Sequence, residues 1–149
     1  MTHFSCLDEL RAAPEGPLGR SSWRPVDQET IRAFAELTGD RQWIHVDPVR
    51  AAAGPFGAPV AHGFLVLSLI PMMLAEVLRV TGVRSVVNYG LDRVRFPVPV
   101  TAGDSIRADA HLLETVPVGE AVQVRCRVSV EVDRGGKPCC VADSLFRFA

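Results

Sequence analysis

Cysteine, net charge and long apolar runs are all scarce in this sequence, and each scarcity closes off a class of function. Among 149 residues, 16 Lys and Arg stand against 17 Asp and Glu, a formal net charge of -1. No field of one sign is available to draw in DNA, RNA or an anionic membrane, so no nucleic-acid role is expected. The four cysteines, Cys6, Cys126, Cys139 and Cys140, show no CxxC spacing. Adjacent Cys139 and Cys140 cannot readily face one metal from a strand, so no metal site is expected and the thiols read as reduced, small apolar residues. The opening MTHFSCLDELRAAPEG has neither the basic start nor the apolar run of an export signal, and cytoplasm is the expected compartment. The most apolar stretch, Gly63 to Ala75, falls short of the roughly 20 residues that span a bilayer, and Glu76 and Arg79 follow it. A buried helix accounts for it, and no membrane is expected as a partner.

Internal repeats, low-complexity tracts and linker-like composition shifts are also missing, and the length suits one domain over residues 1–149. The character changes once, from helical to strand-rich, which is an α+β pattern. A short helix is expected near Cys6 to Ala12 and a strand at Ser22 to Val26. Asp27 offers an N-cap to a helix carrying Ile31, Phe34, Ala35 and Leu37, which stops at Gly39. A loop from Asp40 to Val46 leads to Asp47-Pro48, an N-cap with proline at the first helical position, opening a short helix that ends at Gly54. The Gly- and Pro-rich segment GPFGAPVAHG, Gly54 to Gly63, is a loop delivering the chain to a long helix over Gly63 to Val80. That helix is apolar nearly all round, kinked at Pro71 and ended at Gly82. Beyond it the spacing predicts strands at Ser85 to Tyr89, Asp92 to Phe96 and Ser105 to Glu114. The clearest strand alternates Val122, Val124, Cys126, Val128, Val130 and Val132 with polar residues, and Arg134-Gly135-Gly136 turns it into a last strand through Cys140, Ala142, Phe146 and Phe148. A curled antiparallel sheet around one buried helix follows.

The densest polar set is Asp40, Gln42, His45, Asp47 and His62. Asp40, directly after a helix stop, fits a turn-capping carboxylate, and His45 fits a buried structural histidine. Asp47 before Pro48 is an N-cap, and His62 beside Gly63 reads first as a structural hydrogen-bonding residue. The sharper reading is a carboxylate and an imidazole that grip one water, within hydrogen-bond reach of the proton to be removed. Free N–H groups around Gly63 and Phe64, at the positive end of a helix, offer a place for a developing oxyanion, and glycine there lets a substrate approach the backbone.

The run Phe34-Ala35-Glu36-Leu37-Thr38-Gly39-Asp40-Arg41-Gln42-Trp43-Ile44-His45-Val46-Asp47-Pro48, then Phe56-Gly57 and Ala61-His62-Gly63-Phe64, strongly resembles the MaoC-like, (R)-specific enoyl-CoA hydratase family. It is more similar still to the subgroup resembling nodulation protein N, which Asn88 to Val100 and Gly103-Asp104 also match. The resemblance implies a hotdog fold and a homodimer paired sheet to sheet. It implies Asp40 and His45 as catalytic, Gly63 as the N–H that holds a thioester carbonyl, and Ser68 as a helix serine near the active site. His62 joins Gly63 and Ser68 in the expected oxyanion and substrate-binding set. Where the wider family has Asn-Pro between its catalytic residues this chain has Gln42-Trp43, a change that bears on the acyl pocket.

The implied reaction is reversible hydration of a trans-2-enoyl thioester to the 3-hydroxyacyl thioester, a hydro-lyase activity with no resident cofactor. Coenzyme A or acyl carrier protein would bear the substrate, with Arg84, Arg93 or Arg95 as candidates to meet phosphate. The rivals are a hotdog acyl-thioesterase and a non-catalytic acyl-thioester binding module.

Overall fold

The computed structural model describes residues 1–149 and begins with a three-residue strand, β1 (Thr2–Phe4), followed by α1 (Leu7–Arg11), β2 (Gly16–Arg20) and β3 (Arg24–Pro25). Asp27 then caps α2 (Gln28–Thr38) as expected, its Oδ1 accepting the Thr30 N–H at 2.8 Å, and Gly39 closes the helix at a φ of 78°. The stretch expected to be an unbroken loop contains one more helical turn, α3 (Trp43–Val46), which carries His45. Four residues are too few for a periodicity to show. Asp47 caps α4 (Pro48–Ala52) through the Arg50 N–H at 3.0 Å.

The apolar helix α5 (Gly63–Leu74) is shorter than the Gly63–Val80 span expected. Pro71 has no N–H to bond back to the preceding turn, and the helix survives it by a single turn. The N–H groups of Glu76 and Val77 close a tighter turn on Met73 and Leu74. Leu78–Val80 then forms β4, paired in parallel with β1. Nor is the helix enclosed on every side. Leu65, Val66, Ile70, Met73 and Leu74 are buried, whereas Phe64 is 69% and Met72 40% exposed.

The remaining strands are β5 (Val86–Arg95), β6 (Ser105–Val118), β7 (Ala121–Val132) and β8 (Cys140–Phe148). They build one antiparallel sheet in the order β2-β6-β7-β8-β5, with β3 also on β6. Two separate strands were expected where β5 runs, because Gly90-Leu91 reads as a break. The chain absorbs it as register shifts at Asn88/Gly90 and Leu91/Arg93, so one bulged strand lies along β8. The alternation of β7 holds: Val122, Val124, Cys126, Val128 and Val130 are fully buried. With Ala108, Ala110, Leu112, Ala142 and Phe146 they face α5 in one core of 27 buried residues. Each large aliphatic side chain so buried contributes about 1.5–3 kcal/mol. On the opposite face charged side chains pair across strands, as where Arg127 meets Asp143 through two bonds of 2.8 and 3.0 Å. Cys126 and Cys139 belong to the core, and burial pushes both thiols up to about 12. No helix is long and apolar enough to cross a membrane.

Candidate active site

Three polar residues from three segments meet at the start of α5. Asp40 comes from the turn after α2, His45 from α3, and His62 from the residue that precedes α5. Their ligand-type atoms all lie within 4.8 Å of one another. Asp40 keeps its carboxylate in solvent, with 59% of the side chain exposed, while His45 and His62 are 6% and 4% exposed. From the sequence Asp40 and His45 are the expected catalytic pair and His62 a member of the oxyanion and substrate-binding set; the structure brings all three together.

Main-chain carbonyls fix the proton on each imidazole. His45 Nδ1 lies 2.6 Å from the Val60 carbonyl, which can only accept, so Nδ1 carries the proton and Nε2 holds a lone pair. Val60 is itself held on α3, its N–H donating to Ile44 at 2.9 Å. Gln28, in the first turn of α2, donates from Nε2 to the His45 carbonyl at 2.8 Å. Burial pushes the His45 pKa below its ordinary value of 6.5; the Val60 bond opposes that, His62 adds to it and Asp40 opposes it. Neutral His45 is therefore the resting form at pH 7, an acceptor at Nε2 beside the Asp40 carboxylate.

The His45 and His62 rings are stacked, 3.6 Å between centroids and 22° between planes. In-plane lone pairs on rings so nearly parallel run side by side instead of converging, and one nitrogen of each ring already serves a carbonyl. That arrangement is unlike the converging donors of a metal cage. It suits two acceptors, Asp40 and His45 Nε2, around one water.

At the start of α5, Leu65 and Val66 bond back to the His62 carbonyl, while the N–H groups of Gly63 and Phe64 meet no acceptor in the chain. A side chain at Gly63 has no room: a Cβ there would stand 2.9–3.0 Å from three ring carbons of Phe96. Beside Gly63 opens a mostly apolar hollow of about 270 Å³, lined by Phe56, Ala61, Val66, Phe96, Val98 and Val100 among others. Phe96 and Gln28 were not singled out from the sequence, since neither a ring lying over a glycine nor a bond across 17 residues leaves a local pattern.

Ser68 makes no hydrogen bond to the trio. It is exposed on α5, and its hydroxyl donates to the Phe64 carbonyl one turn back at 2.6 Å. Trp43 packs against Gly54 and beneath the Arg50 guanidinium, 4.4 Å from the ring centre, and does not line the hollow.

A family model described as a MaoC like domain matches residues 9–134, a span that holds every residue of this site. The chain belongs to the MaoC-like dehydratase family. Among its relatives, "3-hydroxyacyl-thioester dehydratase Z" of Mycobacterium tuberculosis is 45% identical over 149 residues, covering 99% of each chain. "Nodulation protein N" of Rhizobium leguminosarum bv. viciae is 43% identical over 129 residues, covering 85% of this chain and 80% of that one. Among solved structures, the unliganded R-hydratase PhaJ1 of Pseudomonas aeruginosa superposes with a TM-score of 0.68 at 27% identity, covering 86% of this chain and 79% of its own. The hotdog architecture of these MaoC-like hydratases is the architecture of this chain.

Proposed function

We propose that this MaoC-like protein is an (R)-specific hydro-lyase that adds water reversibly across the trans-2 double bond of an enoyl thioester. The observation that carries the reading is the pairing of the Asp40 carboxylate with the open Nε2 lone pair of His45 beside the unbonded N–H groups of Gly63 and Phe64. Relatives named as dehydratases and as an (R)-specific enoyl-CoA hydratase support it.

Asp40 and His45 Nε2 are both acceptors, so a water between them donates both its protons and keeps its oxygen lone pairs free for C3. As the oxygen adds, negative charge grows on the thioester carbonyl, where the helix start receives it. The proton taken from water by the pair is returned to C2, which leaves the enzyme unchanged. Acid–base help of this kind contributes ~10²- to 10⁴-fold. An oxyanion donor adds ~10²- to 10³-fold. The substrate's carrier is coenzyme A or acyl carrier protein, no resident cofactor takes part, and Arg84, Arg93 and Arg95 are the candidates to meet carrier phosphate. The acyl tail enters the hollow beside Phe96.

The working form is a homodimer in the cytoplasm. The exposed Val86, Val87, Tyr89 and Leu91 on β5, the edge of the sheet, support a second copy as the covering partner. One assay tests the function: enoyl-CoA consumption followed for lost conjugation and for free thiol. Hydration removes conjugation and leaves the thioester intact, whereas a thioesterase releases thiol with the double bond in place.

A further inference from the structure

His62 takes no proton in the scheme above, yet it touches both groups that do. Its Nε2–H donates to the main-chain carbonyl of Asp40 at 2.9 Å, and its ring lies flat on that of His45. Because a carbonyl only accepts, Nε2 carries the proton and Nδ1 is left with a buried lone pair that has no partner. An unpartnered buried acceptor lowers stability, so a histidine at this position costs the fold something that an apolar residue would not.

The geometry points to His62 as the positioning residue of the catalytic pair, tying the Asp40 backbone and the His45 ring to the start of the oxyanion helix. Few other contacts do this for Asp40. After the left-handed turn at Gly39 the chain is irregular until α3, and the Asp40 N–H reaches only Thr38 Oγ1, at 3.5 Å. The His62 bond joins that turn to α5 across 22 residues. For His45, the Val60 carbonyl fixes one edge of the ring, and the stacked His62 fixes its tilt. His62 in turn is backed by Phe34 of α2, 5.2 Å between ring centres. Adjacent to Gly63 in sequence, it gives the oxyanion donors and the acid–base pair a common anchor, and misplacement by about 1 Å costs such a site on the order of 10²-fold.

The catalytic meaning of this role rests on the hydratase reading, but its structural content does not. His62→Gln keeps a donor in place of Nε2 and loses the ring, while His62→Ala loses both. Turnover is expected to fall in the order wild type, His62→Gln, His62→Ala, with kcat down by roughly 10- to 100-fold in the last and KM nearly unchanged, as expected when the geometry of the reacting groups is lost and not the binding of substrate. Imidazole ¹⁵N shifts give a readout independent of activity. The groups facing His45 that can carry charge are Asp40 and His62; Gln28, bonded to its main-chain carbonyl, is neutral, as is Phe34 behind His62. Loss of His62 opens His45 to water, so its titration moves up in His62→Ala, while the Val60 carbonyl keeps the proton on Nδ1. A folded variant that keeps the wild-type kcat and the wild-type His45 titration overturns the proposal, as does a rise in KM at unchanged kcat. If His62→Ala does not fold, a His62→Gln protein with wild-type kcat and His45 shifts overturns it equally. Should the wild type hydrate no enoyl thioester, the function falls, and the His45 shifts alone still decide whether His62 positions the ring.

Discussion

Replacing Gly63 by alanine adds one methyl group at the point where the fold and the proposed chemistry coincide. The backbone there is not left-handed, so alanine meets no conformational penalty, and in open space it would favour the helix over glycine. Space is not open. The new Cβ would stand 2.9 Å from Cδ2 and 3.0 Å from Cε2 and Cγ of Phe96, so ring or helix start must give by roughly half an ångström to reach ordinary contact. Overpacking costs about 1–3 kcal/mol, and the half-exposed Phe96 ring can retreat toward solvent, which places this case near 1 kcal/mol. For a chain of this size that lowers Tm by roughly 2–4 °C. Turnover falls much further, because the displaced N–H groups are those that receive the carbonyl charge: about 10²- to 10³-fold in kcat. Adding Phe96→Ala relieves the clash, so Tm recovers beyond the sum of the two single effects, as residues in contact do. A calorimetric scan and steady-state kinetics on a short 2-enoyl-CoA read both quantities. Wild-type kcat in Gly63→Ala with lowered Tm would refute the oxyanion role, and unchanged Tm would refute the packing argument.

Asp40→Asn removes a largely exposed carboxylate and is expected to cost ~10²- to 10⁴-fold in kcat while Tm stays near wild type by thermal unfolding. Because burial holds His45 below 6.5, kcat/KM should fall on acidification only below that value; a limb above it in the free enzyme would contradict the assignment. Ser68→Ala loses a bond to its own helix, and kcat is expected within about threefold of wild type; a larger loss would show Ser68 acting on the substrate. Glu76 accepts from the Ser22 hydroxyl and N–H and from Arg24, which together hold its carboxyl at about 2. Its stabilising effect is therefore fully present above the ordinary 4.5 and lost as pH falls through about 2. Denaturant unfolding of wild type against Glu76→Gln should show a difference that narrows over that interval; a constant difference would argue against the bond.

Elements with a repeated local signal were legible in the sequence. The alternation through β7, the Asp27 and Asp47 caps and the Gly39 stop each rest on the chemistry of a few neighbouring residues, and each is found where expected. Elements decided by distant partners were not. Leu78–Val80 reads as the tail of an apolar helix until Thr2–Phe4 offers it a strand, and β5 reads as two strands until β8 carries it through its bulges. The site divides the same way. Asp40, His45 and Gly63 stood out through residue type, position and family motif, whereas the His45–His62 stack and the Gln28 and Val60 bonds depend on chain segments meeting in space.

The central claim is tested most directly by turnover of a ladder of trans-2-enoyl-CoA thioesters by wild type, Asp40→Asn and His45→Gln, with product configuration and free thiol recorded. The account predicts (R)-3-hydroxyacyl thioester with no thiol released, and loss of turnover in both variants. An (S) product, thiol release with the double bond intact, or undiminished turnover in either variant would contradict it.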